Sequence, residues 1–193
     1  GTNTAEHIFP FGAVSGEYIP VKIRVTAGNS DTVRVSTYPT NVANLPLPLT
    51  PTLVTNIFNA DGLDNSAFTV DRFWEINPSG ATAEITLTLT AQISEVGSIT
   101  NLAAQRWDSL TKTWDAPLLG QTNSSVNVTV PNVSAFTTFA LTQDIEPLRV
   151  EFLSFDAYAN GSKVVLKWAT GSEFNSDYFS VQRSADGYSF TEV

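Results

Sequence analysis

From Ala83 to Ile93 the chain reads Ala-Glu-Ile-Thr-Leu-Thr-Leu-Thr-Ala-Gln-Ile, an unbroken two-residue alternation of apolar and polar side chains. An extended strand puts successive side chains on opposite faces, so this segment needs a core on one side and has no use for a helix. Ile85, Leu87 and Leu89 are expected to face that core, and Thr86, Thr88 and Thr90 to face water. The same period recurs at Val21, Ile23 and Val25 against Lys22, Arg24 and Thr26, and again over Thr32–Ser36 after Gly28-Asn29-Ser30, which suggests a hairpin. Phe68, Val70, Arg72, Trp74 and Ile76 share one face of a further strand, which the turn residues Asn77-Pro78-Ser79-Gly80 would end. Before that strand, Pro46, Pro48 and Pro51 cannot donate to a ladder and mark Asn41–Pro51 as a loop.

Trp107 and Trp114 flank the turn-rich Asp108–Thr113, a hairpin whose aromatic cross-strand pair would contribute about 0.2–1 kcal/mol. Val126, Val128 and Val130 alternate with Asn127 and Thr129 before Pro131, and Ser134–Thr142 closes the series. These runs make roughly eight strands with turn signals between them and no helical period. Strand formers such as Thr, Val and Phe outweigh helix formers, so the chain reads as all-β. The expected architecture is an antiparallel β-sandwich domain over residues 1–143, a linker over 144–149 stiffened by Pro147, and a second strand-rich domain over 150–193.

In the second domain Val150-Glu-Phe-Leu-Ser-Phe-Asp-Ala-Tyr158, Lys163-Val-Val-Leu-Lys-Trp168 and Asp177-Tyr-Phe-Ser-Val-Gln-Arg183 read as three strands, separated by turn signals such as Asn160-Gly161. They spell the start of an immunoglobulin-like or fibronectin III-like sandwich, a fold that needs about seven strands. The expectation is a partial sandwich, either part of something longer or completed by strands supplied from outside.

Pro147-Leu-Arg-Val-Glu-Phe-Leu-Ser-Phe155, Val164-Val-Leu-Lys-Trp-Ala-Thr-Gly-Ser-Glu173 and Asn175-Ser-Asp-Tyr-Phe-Ser-Val-Gln-Arg-Ser-Ala-Asp-Gly187 together resemble a module near the C-termini of large secreted Bacteroidota proteins exported by the type IX secretion system. The first domain resembles, more loosely, a recurrent module of the same proteins, through Ile8-Phe-Pro-Phe-Gly12, Val70-Asp-Arg-Phe-Trp-Glu-Ile76 and Ser134-Ala-Phe-Thr-Thr-Phe-Ala-Leu141. The resemblance implies export to the cell surface or medium. It implies no reaction, because the C-terminal module accompanies adhesins, enzymes and structural proteins alike. Asp31-Thr32-Val33 and Asp108-Ser109-Leu110 also resemble the O-glycosylation sequon of such proteins, with Thr32 and Ser109 as acceptors. Asn-x-Ser/Thr at Asn123, Asn127, Asn132 and Asn160 reads as composition.

Charge and residue inventory narrow the function. The net charge of −9 argues against binding nucleic acid or an anionic membrane through a basic patch. No apolar run approaches the ~20 residues of a membrane span, and the first residues lack the pattern of a secretory signal. With no cysteine and one histidine, His7, in an N-terminal segment expected to be mobile, a hydrolytic triad or zinc site has too few members. Glu75, Glu84 and Glu95 could supply a paired-carboxylate acid and base, but Glu75 and Glu84 fall on polar strand faces, where solvation is the simpler reading. The chain does not read as an enzyme.

Two binding patterns remain. Asn59, Asp61 and Asp64 gather oxygen atoms around Gly62, as a Ca²⁺ loop would, although the spacing is not that of an EF-hand and such residues also build plain turns. Trp107 and Trp114, with Tyr38 and Phe73, could form a stacking platform for glycans, whereas Trp74 and Trp168 read as core. Two functions follow as expectations. The first is a non-catalytic structural or adhesive protein of the cell surface that associates with itself or with neighbouring domains, in the extreme as a filament subunit assembled by strand complementation. The second is a carbohydrate-binding or spacer module of a larger secreted polysaccharide-degrading enzyme.

Overall fold

Ile85, Leu87 and Leu89 are buried to within 2% of complete in the computed structural model, which describes residues 5–28, 32–50, 52–79, 83–144, 151–172 and 179–193. The chain divides into two compact units, Gly1–Asp144 and Ile145–Val193. The first unit contains β1 (Glu6–Phe9), β2 (Val21–Gly28), β3 (Thr32–Pro39), β4 (Thr69–Ser79), β5 (Ala83–Thr90), a one-turn helix α1 (Ile93–Val96), β6 (Leu102–Asp108), β7 (Thr113–Trp114), β8 (Thr122–Asn123), β9 (Asn127–Val133) and β10 (Thr138–Gln143). These strands form two five-stranded antiparallel sheets, ordered β1-β2-β5-β9-β8 and β3-β4-β10-β6-β7. The unit is an antiparallel β-sandwich, as the alternation requires. Its core joins Val21, Ile23, Leu87 and Val130 from the first sheet to Trp74, Ile76, Phe139 and Leu141 from the second.

The hairpin expected between Val21–Thr26 and Thr32–Ser36 does not form. Both edges of β2 are occupied, by β1 and β5, while β3 pairs with β4 in the opposite sheet. Alternation specifies which face of a strand is buried but not which strand lies beside it. The strand through Ile76 continues past Asn77 and Pro78 to Ser79. Pairing of β10 with β4 ends at Thr138 and Glu75, so Pro78 lies where only β3 pairs and no second ladder needs its missing N–H. His7 lies in β1, paired with Ile23, rather than in a loose terminus. Phe68 is 43% exposed, outside the buried face of Val70 and Trp74.

β5 ends at Thr90 instead of continuing to Ile93. The Gln92 amide donates to Oε2 of Glu95 (3.1 Å), which starts α1 as a capping box does. The same carboxylate receives Nε and Nη2 of Arg72 at 2.7 and 2.6 Å. Their side chains are 3% and 9% exposed, and Nη1 of Arg72 reaches Thr37 at 3.0 Å. This two-pronged pair lets a charged residue occupy the inward face of β4 beside Val70 and Trp74.

The second unit contains β11 (Glu151–Asn160), β12 (Lys163–Ser172), β13 (Gln182–Ser184) and β14 (Phe190–Glu192), paired as two separate hairpins. Gly161, with φ of 62°, turns the first. In the second turn Asp186 accepts the amides of Ser189 (2.8 Å) and Tyr188 (2.9 Å) and the hydroxyl of Ser184 (2.9 Å). Those bonds, the Ser189 amide foremost, hold its carboxyl well below the usual range.

Removing one member of the buried ion pair strands the other. Glu95→Leu should cost about 3–5 kcal/mol in urea unfolding, and adding Arg72→Met to it should restore most of the loss. A loss below ~1 kcal/mol for Glu95→Leu would contradict this role.

Candidate functional site

Four aromatic side chains line the outer face of the β3-β4-β10-β6-β7 sheet. Trp107 and Trp114 are directly opposed in the β6–β7 register, their rings edge-on with centroids 5.3 Å apart. Trp114 stacks on Phe73 at 6.1 Å, and Phe73 meets Tyr38 at 6.2 Å. The hairpin expected at Asp108–Thr113 forms as read: the Leu110 amide donates to Asp108 at 2.8 Å and, as the largest influence, holds that carboxyl below its usual range.

The ladder is not an open platform. The long connection between β3 and β4 folds over it, burying Ile57 against Phe73, with Leu47 packed alongside. The Trp107 indole N–H donates to the Leu53 carbonyl (3.1 Å) and that of Trp114 to the Asn56 carbonyl (3.0 Å). Asn44, fully buried, donates to the Val70 carbonyl at 3.1 Å. Trp107 and Phe73 are 0% exposed, so neither offers a ring face to a sugar. The aromatics read as a glycan platform are instead the anchor of a loop that roofs the sheet. Sequence could not disclose this, because the partners of the two indoles are backbone carbonyls, which every residue carries.

In the acidic loop, Asn59 Oδ1 accepts the amides of Asp61 (3.1 Å) and Leu63 (3.0 Å), and Asp64 Oδ1 accepts the Ser66 amide (3.0 Å). These are side-chain turns closed on their own backbone, the alternative to Ca²⁺ ligation weighed for this composition. Glu75 accepts the Ser36 hydroxyl at 2.8 Å, Glu84 accepts from Thr26 at 3.3 Å, and Glu95 is committed to Arg72 and Gln92. The three carboxylates therefore lie on separate local networks. Thr32 and Ser109 are both exposed, while Asp31 falls outside the described residues.

The second unit presents the largest departure from expectation. Register places Phe155 opposite Trp168, Ala157 opposite Leu166 and Ala159 opposite Val164, so one face of the β11–β12 hairpin carries six apolar side chains. The other carries Asp156 opposite Lys167, with the Lys167 ammonium 5.5 Å from the Tyr158 ring centre. Trp168 was expected in a core but is 39% exposed, and Phe155 and Val164 are 61% and 67% exposed. Phe179, with its ring 5.7 Å from that of Trp168, gives partial cover. Among the described residues of this unit none is buried. No protein-family model matches the chain, and neither the curated proteins nor the solved structures yield a match.

Burial, and then the nearby Glu75 carboxylate, push the Tyr38 phenol up to about 12. The unfolded chain ionises first, from about pH 10, so Tyr38 contributes its stability below that pH and loses it as pH rises toward about 12. Tyr38→Phe should flatten this part of the stability profile in pH-dependent urea melts. Trp114→Ala should destabilise the first unit by about 3–5 kcal/mol, a loss measurable by the same unfolding.

Proposed function

We propose that the chain is a non-catalytic structural or adhesive module of a secreted or cell-surface protein, and that its second unit is completed by association with a second copy. The observation that carries this reading is the exposed apolar face of β11–β12. Six apolar side chains in cross-strand register form the inner half of a sandwich, and a sheet with one such face is stable only when another layer covers it. Among the described residues β11 and β12 form a sheet of two strands, and a sheet so small gains stability from a donated strand. The resemblance to type IX secretion cargo supports the extracellular assignment, and the exposure of Thr32 and Ser109 fits their reading as O-glycan acceptors. A strand donated from one copy to the next makes a head-to-tail contact that need not close into a ring, which is how a filament would arise.

The non-catalytic part rests on the commitments of the acidic groups: Glu95 is held in an ion pair, and Asp108 and Asp186 are held by turn amides. The rival enzyme-accessory reading through Trp107 and Trp114 loses its surface to the loop above them.

Sedimentation velocity across a range of concentrations, with negative-stain microscopy of the same samples, tests this reading. Reversible oligomers or filaments are expected, lost in Phe155→Asp and Val164→Asp while the first unit stays folded. A monomer at every concentration, with the second unit folded, would overturn the proposal.

A further inference from the structure

The two outer faces of the sandwich differ: the β3-β4-β10-β6-β7 sheet is roofed by its loop, whereas the β1-β2-β5-β9-β8 sheet carries an open groove of about 590 Å³. Its lining follows from alternation. With Ile19, Val21 and Ile23 turned inward, Tyr18, Lys22 and Arg24 are turned outward along one line, and the buried Pro20 lines the groove between them. Pairing then sets Lys22 beside Thr88 and Arg24 beside Thr86, and continues the first row from Thr88 to Thr129. Thr90 beside Asn127 makes a third row. The threonines that sequence alone assigns to water thus form a grid, about 4.8 Å across the strands and about 6.7 Å along them, although Thr90 is buried at 9% exposure rather than in water and Thr86 and Thr88 are half-buried.

We infer that this groove binds an oligosaccharide. Threonine hydroxyls and the Asn127 amide both donate and accept, matching a polyol in which each hydroxyl does the same. The Thr88 and Thr129 hydroxyls are already linked at 2.8 Å, which orients them and leaves lone pairs free for a ligand. Lys22 and Arg24 add donors and Glu6 adds an acceptor. Glu6 lies 3.5 Å from Lys22, and no ion pair to Arg24 is present among the described residues. Tyr18, 58% exposed, lines the groove and supplies an aromatic ring of the kind on which the C–H face of a sugar packs. A few converging polar groups beside an aromatic wall is the composition of a small-ligand site. A protein partner would require an apolar centre that this lining lacks, and the −9 charge disfavours nucleic acid. The inference concerns the first unit alone and stands apart from the assembly of the second.

The test is isothermal titration of the full chain with cellohexaose, xylohexaose, mannohexaose and laminarihexaose. Saturable binding of at least one is expected. Tyr18→Ala, Arg24→Gln and Thr88→Val should each weaken it by about tenfold, roughly one good contact. Arg34→Gln, on the other sheet, should leave it unchanged. Thr88→Val keeps a β-branched side chain and Tyr18 and Arg24 are exposed, so circular dichroism should show all variants folded. Binding should persist in Phe155→Asp, which separates this site from assembly. No saturable binding of any of the four sugars, or binding indifferent to both Tyr18→Ala and Arg24→Gln, would overturn the inference.

Discussion

The first unit depends on the closure of β5 against β4 and β10. Ile85, Leu87 and Leu89 belong to one buried cluster with Trp74, Phe139 and Leu141, and withdrawing these side chains from water supplies the main favourable term for joining two sheets. Every other feature of the unit adapts to that contact. The single turn of α1 delivers Glu95 to Arg72, the one charged side chain on the buried face of β4. Breaking that pair would cost far more than an exposed pair of the same length, because Arg72 would be left charged in a dry interior.

β4 and β10 are buried on both faces, from Thr69 and Val70 through Phe73, Trp74 and Ile76 and from Thr138 through Thr142. The inner cover is the opposite sheet, and the outer is the proline-rich connection pinned by Trp107, Trp114 and Asn44. The first unit therefore has two layers, sheet and loop, on one side of its core and a single sheet on the other. That asymmetry leaves the threonine-lined face of the β1-β2-β5-β9-β8 sheet as the broad sheet surface on which the first unit can meet a ligand.

Fold class was legible in the sequence because period-two alternation is a local property, and Ile85, Leu87, Leu89, Val21, Ile23, Val128 and Val130 all face inward as read. Partner strands were not legible: nothing in Val21–Thr26 announces that both its edges are taken, so the consecutive strands β2 and β3 entered opposite sheets unforeseen. The tryptophan hairpin was readable from its turn, but the roof above it was not, since it rests on the carbonyls of Leu53 and Asn56. The groove residues carried a signal that pointed elsewhere. Thr86, Thr88 and Thr90 looked like ordinary solvated positions, and only register shows that Lys22, Arg24, Asn127 and Thr129 join them.

The second unit has the opposite economy, with apolar residues in register of which Phe155, Val164 and Trp168 stay exposed. The account's central claim is that the first unit is stable by itself and the second becomes so through association. Amide hydrogen exchange of the full chain at low and high concentration tests this most directly. The account predicts strong protection of Ile85–Leu89 and Phe139–Leu141 at both concentrations, with protection of Ser154–Ala169 rising as concentration rises. Equal and concentration-independent protection of both units in dilute solution would contradict it.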